Sequence, residues 1–587
     1  MKKFFTISLF LIVCISLYAK VITGKCGDNL TWTFNTQDST LTINGSGAMK
    51  NYSSYGSIWD RYQNEIAHVL LPNGLTTIGD YAFYKCNAID SIEIPNSVES
   101  IGNYAFYECS KLTSIELGEK IYTIGTNAFA YCSSLVSIIL PESVTTIGNS
   151  AFNRCSALTT ITIPSNVSCI ENHTFSACLS LSSVNISSSV TNIGSGAFSN
   201  CLSLTSIIIP HSVVSIGSKV FDYCKSLESI IVEPNNSVYD SRNNCDAIIE
   251  TASNNLLFGC KNTIIPDGIK TIEKEAFYSC TGLISIVIPN SVISIGESAF
   301  QSCSNLTSIT IGNGVSNFGN NAFWECSSLA VTYYNGTIAQ WCNIDFYGGY
   351  YSNPIYLSKN LYVNNQLLTE LIIPDTVAEI KSYTFFDCHS VTSITIPSNV
   401  MIIGDNALNY TGFYNDEANW ESGALYINDW LIATKESLVA SYTIKQNTRK
   451  IADYAFRSCD NLKNLTIPST ITNVGKGIFN YCYPINTVIC KATSVPTTRG
   501  YFFGHYDYYS PKVTLYVPAE SLEMYKSADD WKDFSLILPI EGSSTNITDT
   551  HILSNQEKNI TKIMSCDGRI LILKDDSVFN LLGLKLK

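Results

Sequence analysis

A six-residue string returns along this chain at a fixed interval. Tyr81-Ala82-Phe83-Tyr84-Lys85-Cys86 is followed by its equivalents Tyr104–Cys109, Asn127–Cys132, Ser150–Cys155, His173–Cys178, Gly196–Cys201 and Lys219–Cys224, each step being 23 residues. The string resumes at Glu275–Cys280, Ser298–Cys303 and Asn321–Cys326, and again at Tyr383–Cys388, Asn406–Thr411, Tyr454–Cys459 and Gly477–Cys482. Of these fourteen units, thirteen end in Cys. Three spacings are longer, at 56, 62 and 48 residues, and each time the chain returns to register. A sequence that does this is a stacked solenoid, in which each coil buries its apolar face only against its neighbours. Length alone, 587 residues, would have suggested several globular domains instead.

One coil can be read physically. Thr160-Ile161-Thr162-Ile163 alternates and stops at Pro164, as a short strand with one buried face does. A turn and a second short extended stretch follow, and in most units a Gly comes next, as in Ile147-Gly148, where a tight corner is expected. Then Ala-Phe-x-x-Cys folds inward. A coil of this length has no room for a strand plus a long helix. The fold class is therefore mainly β, with short strands and tight turns, and the insertions are expected as loops or hairpins on one face.

The repeat unit Leu-x-Ser-Ile-x-Ile-Pro-x-Ser-Val-x-x-Ile-Gly-x-x-Ala-Phe-x-x-Cys, as in Leu204–Cys224 with Val220 for Ala, resembles the BspA-like leucine-rich repeats of bacterial surface proteins and some protozoan parasites. The likeness covers about residues 65–490, with insertions at about 233–262, 329–368 and 410–445. Gly24–Trp32 and Leu41–Gly47 are similar to the family's N-terminal β-hairpin cap, placed at 20–64, and Val513–Ile540 to its closing segment, placed at 491–540. A polar linker follows at 541–559. The tail 560–587 resembles those of exported Bacteroidetes proteins, where such tails direct outer-membrane sorting; a small terminal hairpin without that role fits it equally well.

Residues 1–19 read as a secretory signal peptide, with Lys2 and Lys3 ahead of the apolar run Phe4–Leu17. Cys14 offers the alternative of a lipid-anchored cysteine, against which the bulk of Val13 stands. No later stretch is long and apolar enough for a membrane span, so a secreted or cell-surface protein is expected, with association to the outer membrane open. The formal charge of −13 argues against nucleic acid as a partner.

An exported chain with 21 Cys suggests disulfides, yet stacked equivalents should have parallel Cβ vectors and bridge poorly. The column reads as buried free thiols. Cys26, Cys169, Cys245, Cys260, Cys342 and Cys490 lie off it and are better candidates for pairing, Cys245 with Cys260 across a hairpin. No cofactor, metal or catalytic motif is found: the six His are dispersed and no nucleophile elbow or phosphate loop occurs. The chain is read as a non-enzyme.

Binding is expected in two places. One is the outward column of the repeated strand, Glu93, Glu116, Ile139, Thr162, Asn185 and Ile208, where exposed Ile residues exceed what β-propensity requires. The other is the aromatic insertions, with Tyr334, Trp341, Tyr350, Tyr351, Tyr414, Trp420 and Trp430, which serve either as contacts or as seals on the solenoid. Tyr506, Tyr508 and Tyr509 belong to a third aromatic cluster. The expected ligand is an extracellular protein or glycan of host matrix or other microbial cells, and the expected role is adhesion. The alternative is an envelope or matrix component that binds itself or cell-wall glycans.

Overall fold

Each 23-residue coil contributes one short strand to each of two parallel ladders. A computed structural model describes residues 20–54, 57–503 and 512–540, together with the backbone of four strands between 562 and 586. The signal-peptide and linker segments and Tyr506, Tyr508 and Tyr509 lie outside the described residues. The chain divides into two compact units, 1–368 and 369–587.

In the first unit, Ser91–Glu93, Ser114–Glu116 and Ser137–Ile138 pair in parallel as one ladder. Ser100–Ile101, Thr123–Ile124 and Thr146–Ile147 pair as the other. Partners are 23 residues apart, so equivalent side chains stack. In most coils the first-ladder strand runs into a proline, as at Pro95 and Pro141, which has no N–H for the ladder.

The third side of the coil is the Ala-Phe-x-x-Cys corner, and it is the most constrained part. Two residues per corner have positive φ, for example Tyr81 and Lys85 at 55° and 59°, and Asn127 and Tyr131 at 55° and 65°. None of these four is glycine. L-residues adopt this conformation at a cost of order 1–3 kcal/mol when surroundings over-determine it. Here the surroundings are the next coil: Tyr81 N–H donates to Asn103 O at 2.9 Å, Phe83 N–H to Ala105 O at 2.7 Å, and Lys85 N–H to Tyr107 O at 2.7 Å. The same three bonds recur from coil to coil. Inside the corner, the rings of Phe83, Phe106, Phe129, Phe152, Phe175, Phe198 and Phe221 stack with centroids 5.1–6.2 Å apart. Most ladder thiols donate back to the preceding coil, as Cys109 Sγ to Phe83 O and Cys132 Sγ to Phe106 O, both at 3.1 Å.

The glycine after the second strand has a different purpose from the one its sequence suggests. Gly102, Gly125 and Gly148 do not have positive φ. A Cβ on Gly125 would lie 2.6 Å from Gly102 C, and one on Gly148 2.6 Å from Thr126 N. The glycine is there because the preceding coil's backbone occupies the Cβ space. The first coil after each insertion, whose predecessor is irregular, carries Glu273, Lys381 or Ala452 instead. Glu171 is the one other departure, and nothing in the structure explains it.

The ends are closed by tryptophan. Strands β1 (Val21–Lys25), β2 (Leu30–Asn35) and β3 (Thr40–Ala48) form an antiparallel sheet, and β3 then pairs in parallel with both His68–Leu70 and Gly74–Ile78. One strand thus covers the start of both ladders. Trp59 stacks on Phe83 at 5.6 Å and donates Nε1–H to Ala82 O. In the second unit, Trp531 packs on Phe502 at 4.7 Å and donates to Pro496 O.

The insertions contain hairpins, as expected, and these are built into the ladders. Asn255–Gly259 is antiparallel to Ala247–Glu250 and parallel to Thr271–Ile272; Trp430–Thr434 is antiparallel to Ala424–Ile427 and parallel to Lys450–Ile451. Each hairpin supplies a rung to a ladder, because an interrupted ladder would leave buried backbone groups unpaired.

Replacing Gly125 with Val should destabilise the first unit by more than about 1 kcal/mol, since backbone must move. Glu273→Ala should stay within about 0.5 kcal/mol. Urea denaturation followed by circular dichroism measures both.

Candidate binding face of the repeat

The strand register fixes which residues point outward. Glu93 pairs with Glu116, Thr162 with Asn185, and Ile208 with Ile231, so these positions form one column. Val287, Thr310, Tyr333 and Tyr362 continue the same position in later coils. Glu93, Glu116, Thr162 and Asn185 are exposed. In the first unit the exposed apolar members are Ile139 at 84%, Ile208 at 51%, Ile231 at 47%, Ile264 at 74% and Val287 at 60%. Ile231 escapes a count made from the proline, because Pro234 comes one residue later than in neighbouring units. Only the pairing with Ile208 reveals it.

Two shallow depressions lie along this column. Ile139 and Pro141 line one with Glu116, Glu119 and Glu142; Ile264, Pro266, Val287 and Pro289 line the other with Asn243 and Asp267. The prolines that end the strands form a wall beside the aliphatic side chains, and acidic groups stand at the rim. This is an apolar surface with polar edges, the composition that marks contact surfaces.

The aromatic insertions divide. Tyr334, Trp341 and Trp430 are buried, which corrects the expectation that they present rings to a ligand. Trp341 packs between Tyr334 at 4.8 Å and Phe346 at 5.8 Å, and Phe346 stacks on Phe318 of the preceding coil. Trp430 lies under the Lys450 ammonium, which donates to Ser398 O and Val400 O. These rings pack inside the coil at or beside ladder positions where the repeat is broken. Tyr350, Tyr351, Tyr414 and Trp420 are half-buried: Tyr350 and Tyr351 pack on each other and on Tyr356, and Tyr414 on Trp420 at 4.9 Å.

The cysteines of the described residues are free, including the pairing candidates Cys245 and Cys260. Cys260 Sγ donates to Glu228 O at 3.1 Å and to Asp246 O at 3.3 Å, and Cys245 Sγ faces Ala247 O. Burial pushes the Cys178 thiol up to about 12, so it stays protonated at neutral pH. Thr411, the exception in the column, donates to Leu408 O and caps the short helix Gly412–Asn415 by accepting from Tyr414 N–H. Among the described residues no cluster of His, Cys, Asp and Glu is arranged to hold a metal, and no helix is long and apolar enough to cross a membrane.

Comparison with known proteins agrees with this geometry. The model of the BspA type leucine rich repeat region matches in six copies, spanning 61–348 and 355–512. The chain belongs to the BspA-type leucine-rich-repeat family. Relatives with solved structures include a leucine-rich cell surface protein of Faecalibacterium prausnitzii, 27% identical over 64% of this chain and 94% of that one, with a TM-score of 0.43. A leucine-rich repeat protein of Bacteroides ovatus is 23% identical over 88% and 99%, with a TM-score of 0.39. No curated protein matches the chain.

One buried carboxyl in this BspA-type chain gives it a pH dependence. Asp222 sits in the last corner before the first insertion, where burial and the Glu275 carboxylate raise it to about 7 despite Lys219. Between about pH 4 and pH 7 the folded state holds this proton and the unfolded state does not, so stability falls as pH rises through that window. The full effect is on the order of 2–4 kcal/mol. Asp222→Asn should flatten the slope and be the more stable form at pH 8, as read from urea midpoints at pH 5 and pH 8.

Proposed function

We propose that this BspA-type chain is an exported, surface-displayed adhesion protein whose outward column in the first unit binds an extracellular protein. The observation that supports this reading is the set of five exposed branched aliphatics, Ile139, Ile208, Ile231, Ile264 and Val287, at one outward position of the repeated strand in the first unit. Thr or Asn would serve the strand equally well there, and the chain uses them at Thr162 and Asn185. Non-polar side chains on a rigid ladder present contact area without the entropy cost of ordering a loop. Glu93, Glu116, Glu119 and Glu142 flank the first of these residues, which favours a partner with an apolar centre and a basic rim.

Ile139→Lys with Ile264→Lys should lower capture of matrix proteins or whole microbial cells by at least about tenfold, the range expected when central anchors are lost. The urea midpoint should stay unchanged, because both residues are exposed. Equal capture by the parent and the double variant would remove this face from the reading. Concentration-dependent self-assembly in sedimentation, with no capture of other proteins, would favour the envelope or matrix component instead.

A further inference from the structure

The corner ladder is interrupted in the second unit, and the interruption is left open. In regular coils the N–H groups of the first, third and fifth corner residues donate to the next coil, as Tyr81, Phe83 and Lys85 do. The equivalents in the coil before the third insertion are Asn406, Leu408 and Tyr410. Their coil accepts the usual bonds from Tyr383, Phe385 and Asp387, but their own N–H groups have no partner among the described residues. The coil that should receive them has no corner: where a regular coil turns, Ile432, Ala433 and Thr434 continue as a straight strand. The next corner begins at Asp453, and its Asp453 and Arg457 carbonyls, the counterparts of Asn103 and Tyr107, accept nothing among the described residues. Between the two corners is a cleft of about 500 Å³, lined by residues 403–410, Tyr414, 432–437, 452–455, Arg457 and Ser458. At the first insertion the N–H groups of Lys219, Phe221 and Tyr223 likewise have no partner among the described residues, but the gap itself is filled, with Phe258 packed edge-on against Phe221 at 5.8 Å.

We infer that this cleft is a peptide-binding site, which accepts one segment of a partner polypeptide folded in the turns of a regular corner. Three backbone donors at alternate residues on one wall and the free Asp453 and Arg457 carbonyls on the other are the groups that a regular corner, placed between them, would pair with, so main-chain hydrogen bonds would supply the recognition. Hydroxyl groups of a sugar have no such two-residue periodicity. An anion is disfavoured because the lining holds Asp405, Asp453 and Glu436 against Lys435 and Arg457, and Arg457 is already paired with Asp405 at 2.9 Å. Side chains of the segment would meet Tyr410, Tyr414 and Tyr454, and Leu408 stands where other corners place the larger Phe. The site is separate from the outward column and stands or falls without it.

The probe is a capped, fluorescent nonapeptide copying Asn127–Leu135, a regular corner of this chain. It should bind the intact chain saturably. At saturation, hydrogen exchange at the amides of Asn406, Leu408 and Tyr410 should slow at least tenfold, while exchange in the intact corner 127–132 stays unchanged. Ser437→Trp, at an exposed residue of the rim, should weaken binding at least tenfold, and Ser437→Ala should not. No binding at millimolar peptide, binding that leaves these three amides unchanged, or protection by a neutral oligosaccharide and not by the peptide would each overturn the assignment.

Discussion

The axial hydrogen bonds at the Ala-Phe corner are the interaction on which the rest of this structure depends. Two residues of each corner stand in the left-handed region, and side chains as large as Tyr, Lys and Arg occupy those positions. No local preference holds them there. Three backbone bonds to the next coil, the stacked Phe rings and the thiol donated back to the preceding carbonyl do so together. Because each corner is fixed by its neighbours, stability is transmitted coil to coil, and a break in the repeat becomes a structural problem to be solved.

The chain solves that problem differently at each break. Trp59 and Trp531 close the ends by presenting a large flat ring to the Phe column and satisfying the indole N–H on a nearby carbonyl. The first insertion fills its gap with Phe258. In the second, Phe323 N–H finds Tyr351 O. The third keeps a strand in the ladder but supplies no corner, and there the unpartnered corner N–H groups face an unfilled gap. The same constraint therefore accounts for both the most rigid part of the molecule and its one open cleft of this kind among the described residues.

The period of the repeat, the two strands per coil, the outward positions and the thiol column were legible in the sequence, since all follow from periodicity. The purpose of the Gly after the second strand was not. Its φ is ordinary, and the clash that excludes a Cβ comes from a residue 22 or 23 positions away. The rings of the insertions were ambiguous for the same reason: Trp341, Trp430 and Trp420 have identical local chemistry, and only their placement buries the first two and leaves the third half-buried. Ile231 was hidden by a one-residue shift of its proline, which moves the landmark without moving the strand.

The amino-acid sequence by itself determined that this protein is a stack of equivalent coils, because a side-chain pattern that recurs every 23 residues can bury its apolar face in no other way. Which surfaces remain available was decided only by the tertiary structure. Exposure of an Ile, satisfaction of a backbone N–H and the filling of a gap each depend on the coil above or below. Where that coil is irregular, its contribution cannot be read from a repeat it does not obey.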